Sequence, residues 1–148
     1  MVYVEGLRRL CFDTDFLVDY MRKPSDVVRL IMKRVYEGRV LGCTTSVNAF
    51  EIWFGVYLAP RPEDLVEDTE ELLSQLEIMG FDYEASIGAG SVMAELKMMG
   101  QVIDVRDLFV GTICRVNGVP LVTRNVKHYD RISGLTVLKP EEAVRKTR

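Results

Sequence analysis

The stretch that decides the fold is Leu10-Cys11-Phe12-Asp13-Thr14-Asp15-Phe16-Leu17, residues 10–17. Residues 7–12, which end in the apolar run Leu10-Cys11-Phe12, predict a strand, and residues 14–21 predict a short helix. Asp13 lies at the junction, beside the apolar end of the strand. Because a buried acid is costly unless something pairs with it, this carboxylate predicts a site rather than ordinary surface.

Two later stretches repeat this combination of acidic and apolar residues. Glu51 ends the segment Ser46-Val47-Asn48-Ala49-Phe50-Glu51, and the segment Val102-Ile103-Asp104-Val105-Arg106-Asp107 contains the pair Asp104 and Asp107. Carboxylates that converge on one pocket repel one another, so their natural partner is a divalent cation. The sequence therefore predicts a metal-dependent enzyme, with hydrolysis of phosphodiesters as its leading chemistry.

Strand and helix patterns alternate along the rest of the chain. We predict further strands at 39–44, 77–81, 121–123 and 135–138. Further helices are predicted at 26–36 with Ser25 as its cap, at 46–58 capped by Ser46, at 63–76 with Leu65 on its inner face, and at 83–99 and 107–117. This alternation predicts a single α/β domain, residues 1–148, with a three-layer α/β/α arrangement and a central, mostly parallel sheet. Sites in such sheets form outside the carboxyl ends of the strands, where Asp13 and Thr123 are both expected.

Composition limits the classes of protein that fit. The 148 residues are 48% hydrophobic and 28% charged with a net charge of −3, as in an ordinary soluble domain. No apolar run approaches the ~18 residues of a membrane span, and no signal peptide is expected, so we predict a cytoplasmic protein without a membrane partner. Three widely spaced cysteines and the single histidine, His128, argue against a disulfide framework, a zinc site or a histidine-based triad. The cysteines, Cys11, Cys43 and Cys114, are expected to pack in the core.

Four segments together resemble one known family, the PIN-domain ribonucleases, and specifically the VapC toxins of toxin–antitoxin pairs. They are residues 12–19, from Phe12-Asp13-Thr14-Asp15; residues 45–55, around Glu51; residues 100–111, around Asp104 and Asp107; and residues 121–132, from Leu121-Val122-Thr123-Arg124-Asn125. All four in this order, with helical spacers of suitable length, form a fairly specific signal that covers nearly the whole chain.

The resemblance implies roles for particular acids. Asp13, Glu51 and Asp107 match the three acids that hold Mg²⁺ or Mn²⁺ and support catalysis in the family, and Asp104, one turn earlier, is a further candidate for the metal. The family often has a fourth acid after the late strand, where this chain has Asn125 instead. Asp130 lies farther along and is a candidate substitute. Whether one or two ions bind stays open.

Neighbouring polar residues are expected to orient these acids. Thr14, Asp15, Thr123 and Asn125 can each donate or accept a hydrogen bond beside a metal ligand. Asp15 is about equally well explained as the cap of the first helix. The resemblance also implies an RNA substrate, a VapB-like antitoxin partner and a homodimer, with the antitoxin tail occupying the acidic groove.

Other interpretations stay open at this point. Each acid alone also has a simpler explanation. Asp13 and Asp107 fit helix caps, Glu51 fits the outward side of an amphipathic helix, and Asp104 fits an ordinary loop carboxylate. A PIN-type nuclease with a housekeeping role in RNA processing fits the same motifs as a toxin. A receiver-like phospho-accepting regulator also has Asp at strand ends, but it lacks a counterpart of Glu51 and requires a lysine after a late strand, where Thr123-Arg124-Asn125 stands here.

Overall fold

The chain, seen in a computed structural model, is described for residues 9–147, which form one parallel sheet flanked by helices. The strands are β1 (Arg9–Phe12), β2 (Leu41–Thr45), β3 (Glu77–Met79), β4 (Leu121–Val122) and β5 (Val137–Leu138). The helices are α1 (Thr14–Arg22), α2 (Asp26–Tyr36), α3 (Ser46–Leu58), α4 (Val66–Ser74), α5 (Tyr83–Met98), α6 (Val105–Asn117) and α7 (Pro140–Lys146). Within residues 9–147, no helix is long and apolar enough to cross a bilayer.

The five strands pair in the order β3-β2-β1-β4-β5, and all four pairings are parallel. Strand β1 is central, with Cys11 opposite Cys43 of β2 on one side and Leu121 of β4 on the other. Successive segments of the chain therefore lead away from β1 in opposite directions. In open parallel sheets the crevice at such a reversal is where ligands bind.

Alternate residues of β1 enter two separate hydrophobic cores. Leu10 and Phe12 pack with α1, α2 and α4 on one face, whereas Cys11 packs with α5 and α6 on the other. This alternation is expected because successive side chains of a strand point to opposite faces of the sheet. The predicted three-layer α/β/α arrangement is confirmed.

Local signals account for most helix boundaries. Ser25 caps α2 as predicted, since its hydroxyl accepts a hydrogen bond from the Val28 amide at 3.3 Å. The cap of α3 is Thr45, not the predicted Ser46, because β2 runs directly into that helix without a loop. The predicted helix at 63–76 is wrong in its first part: residues 62–64 form a 3-10 turn and Leu65, expected on the inner face, is exposed.

Helix α7 is absent from the sequence predictions. It docks through Arg34 of α2, a buried side chain that donates to the Val144 carbonyl and to the Thr147 hydroxyl, both at 2.8 Å. The three cysteines are buried and free, which confirms their packing role. Leu7, placed in the first strand by the sequence, lies outside the described residues.

Candidate active site

Asp13 lies at the reversal point of the sheet, directly after β1, and only 4% of it is exposed. One carboxylate oxygen accepts a hydrogen bond from the Phe16 amide at 2.9 Å and so caps α1. The other accepts a hydrogen bond from the hydroxyl of Thr123, which follows β4. The first turn of α1 and the end of β4 therefore fix this carboxylate in one orientation.

Burial raises the pKa of Asp13 from an ordinary value of 3.8 to about 6. The two hydrogen bonds from Thr123 and Phe16 oppose this increase, while the negative charges of Asp15 and Asp19 add to it. Burial and neighbouring acids both disfavour the charged form of a carboxylate, whereas a nearby cation favours it. A cation beside Asp13 would therefore favour the charged form of this carboxylate, which burial disfavours.

Glu51 enters the same site from α3 at the end of a chain of hydrogen bonds. Its Oε1 accepts from the Thr14 hydroxyl at 2.6 Å, and Thr14 in turn accepts from the Asn48 amide at 3.0 Å. Asn48 accepts from the Thr45 hydroxyl at 2.7 Å. Glu51 is therefore held by α1 and by its own helix, and the side chain does not turn outward as on a solvated helix face.

Asp104 and Asp107 approach from the start of α6 in different ways. Asp104 is the N-cap and accepts from the Arg106 amide at 2.8 Å, whereas Asp107 lies in the first turn. The suggestions that Asp104 is an ordinary loop acid and Asp107 a helix cap are therefore both wrong. Hydrogen bonds from Arg106 lower the pKa of Asp104, while burial raises that of Asp107 against the opposing charge of His128.

These acids line one cavity of about 440 Å³ at the carboxyl edge of the sheet. Its walls are Asp13, Thr14, Asp15, Asn48, Glu51, Asp104, Arg106, Asp107, Asn125, His128 and Tyr129. Among residues 9–147, no three His, Cys, Asp or Glu side chains are already gathered at metal-ligand spacing. The hard oxygen donors nevertheless suit Mg²⁺ or Mn²⁺, which take carboxylates together with retained water, so the residues fit such an ion without converging on one point.

The residues expected to orient the acids divide into two groups. Thr14 contacts Glu51 and Thr123 contacts Asp13, as anticipated. Asp15 does not cap α1, since Asp13 does; instead Asp15 accepts from the Asn125 amide at 2.7 Å, at the rim of the cavity.

Asp130, the suggested replacement for a fourth acid, is exposed and does not line the cavity. The two residues between it and Asn125 on the cavity wall, His128 and Tyr129, belong to the intervening turn. The position of the fourth acid is thus taken by Asn125, a neutral side chain that engages Asp15.

Sequence reasoning missed four residues of the cavity. Arg106 lies 3.4 Å from a Glu51 oxygen, and His128 Nδ1 lies 3.6 Å from Asp107 Oδ2. Asn48 links Thr45 to Thr14, and Tyr129 is buried beside Asp107. The spacing of Asn48 three residues before Glu51, on one side of a helix, was the one signal available.

Comparison with known proteins defines the class. The family model of the PIN domain matches residues 10–135, and the chain therefore belongs to the PIN-domain family. It is 25% identical over 128 residues to ribonuclease VapC2 of Haemophilus influenzae, covering 80% of this chain and 96% of that protein. Membership of this family rules out the receiver-like alternative.

Two further similarities support the same grouping. The tRNA(fMet)-specific endonuclease VapC of Salmonella typhimurium is 27% identical over 95 residues, which cover 64% of this chain and 72% of that protein. The fold matches VapBC2 from Rickettsia felis, solved bound to a DNA fragment from their promoter, with a TM-score of 0.80 and 23% identity over 88% of this chain and 98% of that one.

Proposed function

We propose that this chain is a VapC-type toxin, an endoribonuclease that hydrolyses RNA phosphodiester bonds with Mg²⁺ or Mn²⁺. The observation that carries the proposal is the cavity in which Asp13, Glu51, Asp104 and Asp107 meet at the reversal point of the sheet. PIN-family membership and relatives named as VapC ribonucleases support it.

Three acids would hold the cation, and the rest of the cavity would keep them in place. Asp13, Glu51 and Asp107 are the ligands we assign, with Asp104 at the rim as a further candidate. Bound there, the ion would lower the pKa of a coordinated water and polarise the phosphate. Thr123 and the Phe16 amide orient Asp13, while Thr14 orients Glu51, so these two carboxylates are held in fixed directions at the cavity wall.

Two protein partners are proposed, one from the similar structures and one from an exposed surface of α3. A similar fold is found in VapBC complexes, so we propose a VapB-like antitoxin that covers the cavity in a cytoplasmic complex. Helix α3 presents Phe50 and Phe54, stacked at 6.0 Å, together with Tyr57 and Leu58, all more than half exposed. A contiguous apolar surface of this kind favours a protein contact, and we assign it to a homodimer.

Metal-dependent cleavage of RNA tests the activity. Wild type with Mg²⁺ or Mn²⁺ should cleave a panel of cellular RNAs, beginning with initiator tRNA because one relative is named for it. Asp107→Asn should lose at least about a hundredfold in rate, since a carboxylate ligand is removed. Asp130→Asn, an equal charge change on an exposed residue outside the cavity, should retain full activity. Equal loss in both variants would contradict the assignment of the site.

Growth separates a toxin from a housekeeping nuclease. Induction of wild type in a bacterial host should arrest growth, induction of Asp107→Asn should not, and co-expression of the antitoxin should restore growth to wild-type cells. Normal growth with soluble, RNA-cleaving wild type would favour a role in RNA processing.

A further inference from the structure

Arg106 is the one Lys or Arg among the described side chains that line the acidic cavity. Its guanidinium lies 3.4 Å from a Glu51 oxygen on α3 and 3.4 Å from an Asp104 oxygen at the start of α6. It therefore spans the cavity mouth between two helices. More than half of its side chain is exposed, so the head can leave this position without opening the core.

The place of Arg106 in its helix is unfavourable for a cation. It is the second residue of α6, and the positive end of a helix dipole stabilises acids there and disfavours bases. Exposed ion pairs of this length contribute little to stability, so they do not explain the arginine either. The neighbouring acids and whatever enters the cavity are the remaining partners for its charge.

RNA must bring its phosphates to a cavity lined by five acids. The net charge of −3 gives no general attraction for a polyanion. A guanidinium can donate two parallel hydrogen bonds to a phosphate. The contacts of Arg106 with Glu51 and Asp104, at 3.4 Å each, are long for hydrogen bonds, so a phosphate would be a better-fitting partner. Among the described cavity side chains, this arginine is the permanent cation available for that contact.

We propose that Arg106 binds an RNA phosphate beside the scissile bond and that, before RNA arrives, it neutralises Glu51 and Asp104. A cation at Glu51 and Arg106 compete for the same carboxylate, so binding of the cation releases the arginine to the RNA. The inference rests on the proposed nuclease function and adds a substrate-binding residue with a defined exchange of partners.

Cation binding tests the competition. Calorimetric titration of RNA-free protein with Mn²⁺ should show Arg106→Gln binding about two- to fivefold more tightly than wild type, because a competing exposed ion pair is removed. The matched control is Arg39→Gln, whose arginine is also about half exposed and pairs with Glu37 at 3.6 Å. Arg39 precedes β2, at the opposite edge of the sheet, and its variant should bind Mn²⁺ as wild type does. Unchanged or weaker Mn²⁺ binding in Arg106→Gln would overturn the competition.

RNA binding tests the exchange without requiring cleavage. Glu51→Gln removes one of the two carboxylates that Arg106 pairs with and leaves Asp104. Binding of a short fluorescein-labelled single-stranded RNA can then be followed by anisotropy in EDTA. Adding Arg106→Gln to Glu51→Gln should weaken RNA binding roughly three- to tenfold and reduce the slope of log affinity against log salt by about 0.7, the loss of one phosphate contact. Adding Arg39→Gln instead should change neither quantity.

An unchanged slope and affinity in the Glu51→Gln/Arg106→Gln variant would show that Arg106 makes no phosphate contact. Arg106→Lys should keep the salt slope and lose part of the affinity for RNA, because lysine keeps the positive charge but cannot donate two parallel hydrogen bonds. If wild type cleaves no RNA, the proposed function fails, yet the Mn²⁺ and RNA binding measurements still decide the role of Arg106.

Discussion

At the scale of single residues, the site is a set of carboxylates whose environments differ sharply. Asp13 is buried and doubly hydrogen-bonded, Asp107 is half-buried beside His128, and Asp104 is exposed and paired with Arg106. The pKa values of the first two are raised by burial, and that of the third is lowered by its hydrogen bonds. Asp13, the most strongly buried of these acids, is therefore the one whose charged form burial disfavours most.

The raised pKa of Asp13 has a consequence for stability. An acid whose pKa is higher in the fold than in the unfolded chain favours folding while it is protonated, and this contribution is lost as pH rises from about 4 through about 6. Above that range its charge costs the metal-free fold about 3 kcal/mol. Asp13→Asn keeps a good N-cap without the charge, so it should stabilise metal-free protein by up to that amount near neutral pH.

Urea unfolding in EDTA at about pH 7.5 and about pH 4 checks this expectation. The increase in the free energy of unfolding caused by Asp13→Asn should be large at the higher pH and small at the lower pH. Asp130→Asn serves as a surface control and should change stability little at either pH. A destabilised Asp13→Asn at the higher pH would show that its hydrogen bonds outweigh its desolvation.

The hydroxyl of Thr14 should be needed to hold Glu51. Thr14→Val keeps the shape of the side chain but leaves the buried Asn48 amide without this acceptor, which costs about 1–3 kcal/mol. Glu51 also loses its 2.6 Å hydrogen bond, so cleavage should fall by roughly tenfold to a hundredfold. Thr14→Ser restores the hydroxyl and should recover both stability and rate. Equal defects in Val and Ser would show that the methyl group, not the hydroxyl, matters.

At the scale of elements, helix α6 carries two of the acids and depends on close packing at its centre. A Cβ at Gly111 would overlap the Ile132 side chain and come within 3.2 Å of Leu135 and 3.6 Å of Tyr129. These residues belong to the segment between β4 and β5 that brings His128 to Asp107. The absence of a side chain at Gly111 therefore allows the segment to close one wall of the cavity.

Gly111→Ala should lower stability by about 1 kcal/mol despite the better helix propensity of alanine, because overpacking outweighs it. It should also displace Tyr129 and His128 from Asp107, which a change in the His128 ring signals by NMR would report. Gly90→Ala on α5 is the matched control, since nothing lies within 4 Å of its added Cβ. Gly90→Ala should increase the stability of the fold by about 0.5–1 kcal/mol. A similar increase in Gly111→Ala would contradict the close packing around Gly111.

At the scale of the whole molecule, the site joins parts of the chain that are far apart in sequence. Thr123 contacts Asp13 across 110 positions, and Arg106 contacts Glu51 across 55. These contacts tie β1, α3, α6 and β4 together around one cavity. Neutralising the cavity should therefore stabilise the entire fold rather than one loop.

Mn²⁺ should raise the melting temperature of the wild-type protein. A ligand at about a hundred times its dissociation constant adds about 2.7 kcal/mol if it binds the folded state alone. In a domain of this size that corresponds to a rise of roughly 5–10 °C. The double variant Asp13→Asn/Asp107→Asn should show no such rise, and calorimetry with and without Mn²⁺ measures both. An equal rise in the double variant would place cation binding outside the cavity.

The amino-acid sequence by itself determined the local features of this protein. The apolar runs predict β1 and β2, Ser25 predicts the start of α2, and the motif acids Asp13, Glu51 and Asp107 do line one cavity. These features depend on side-chain period, caps and motif order, which are properties of neighbouring residues. The three-layer fold followed from the alternation of such elements.

Only the tertiary structure decided which distant side chains meet. It brings Arg106 to Glu51 and His128 to Asp107, excludes Asp130 from the cavity, and docks α7 on Arg34. The physical reason is that these distances depend on strand order and on helix packing across the sheet. A periodic pattern shows that an element has a buried face, but it does not encode which element covers that face.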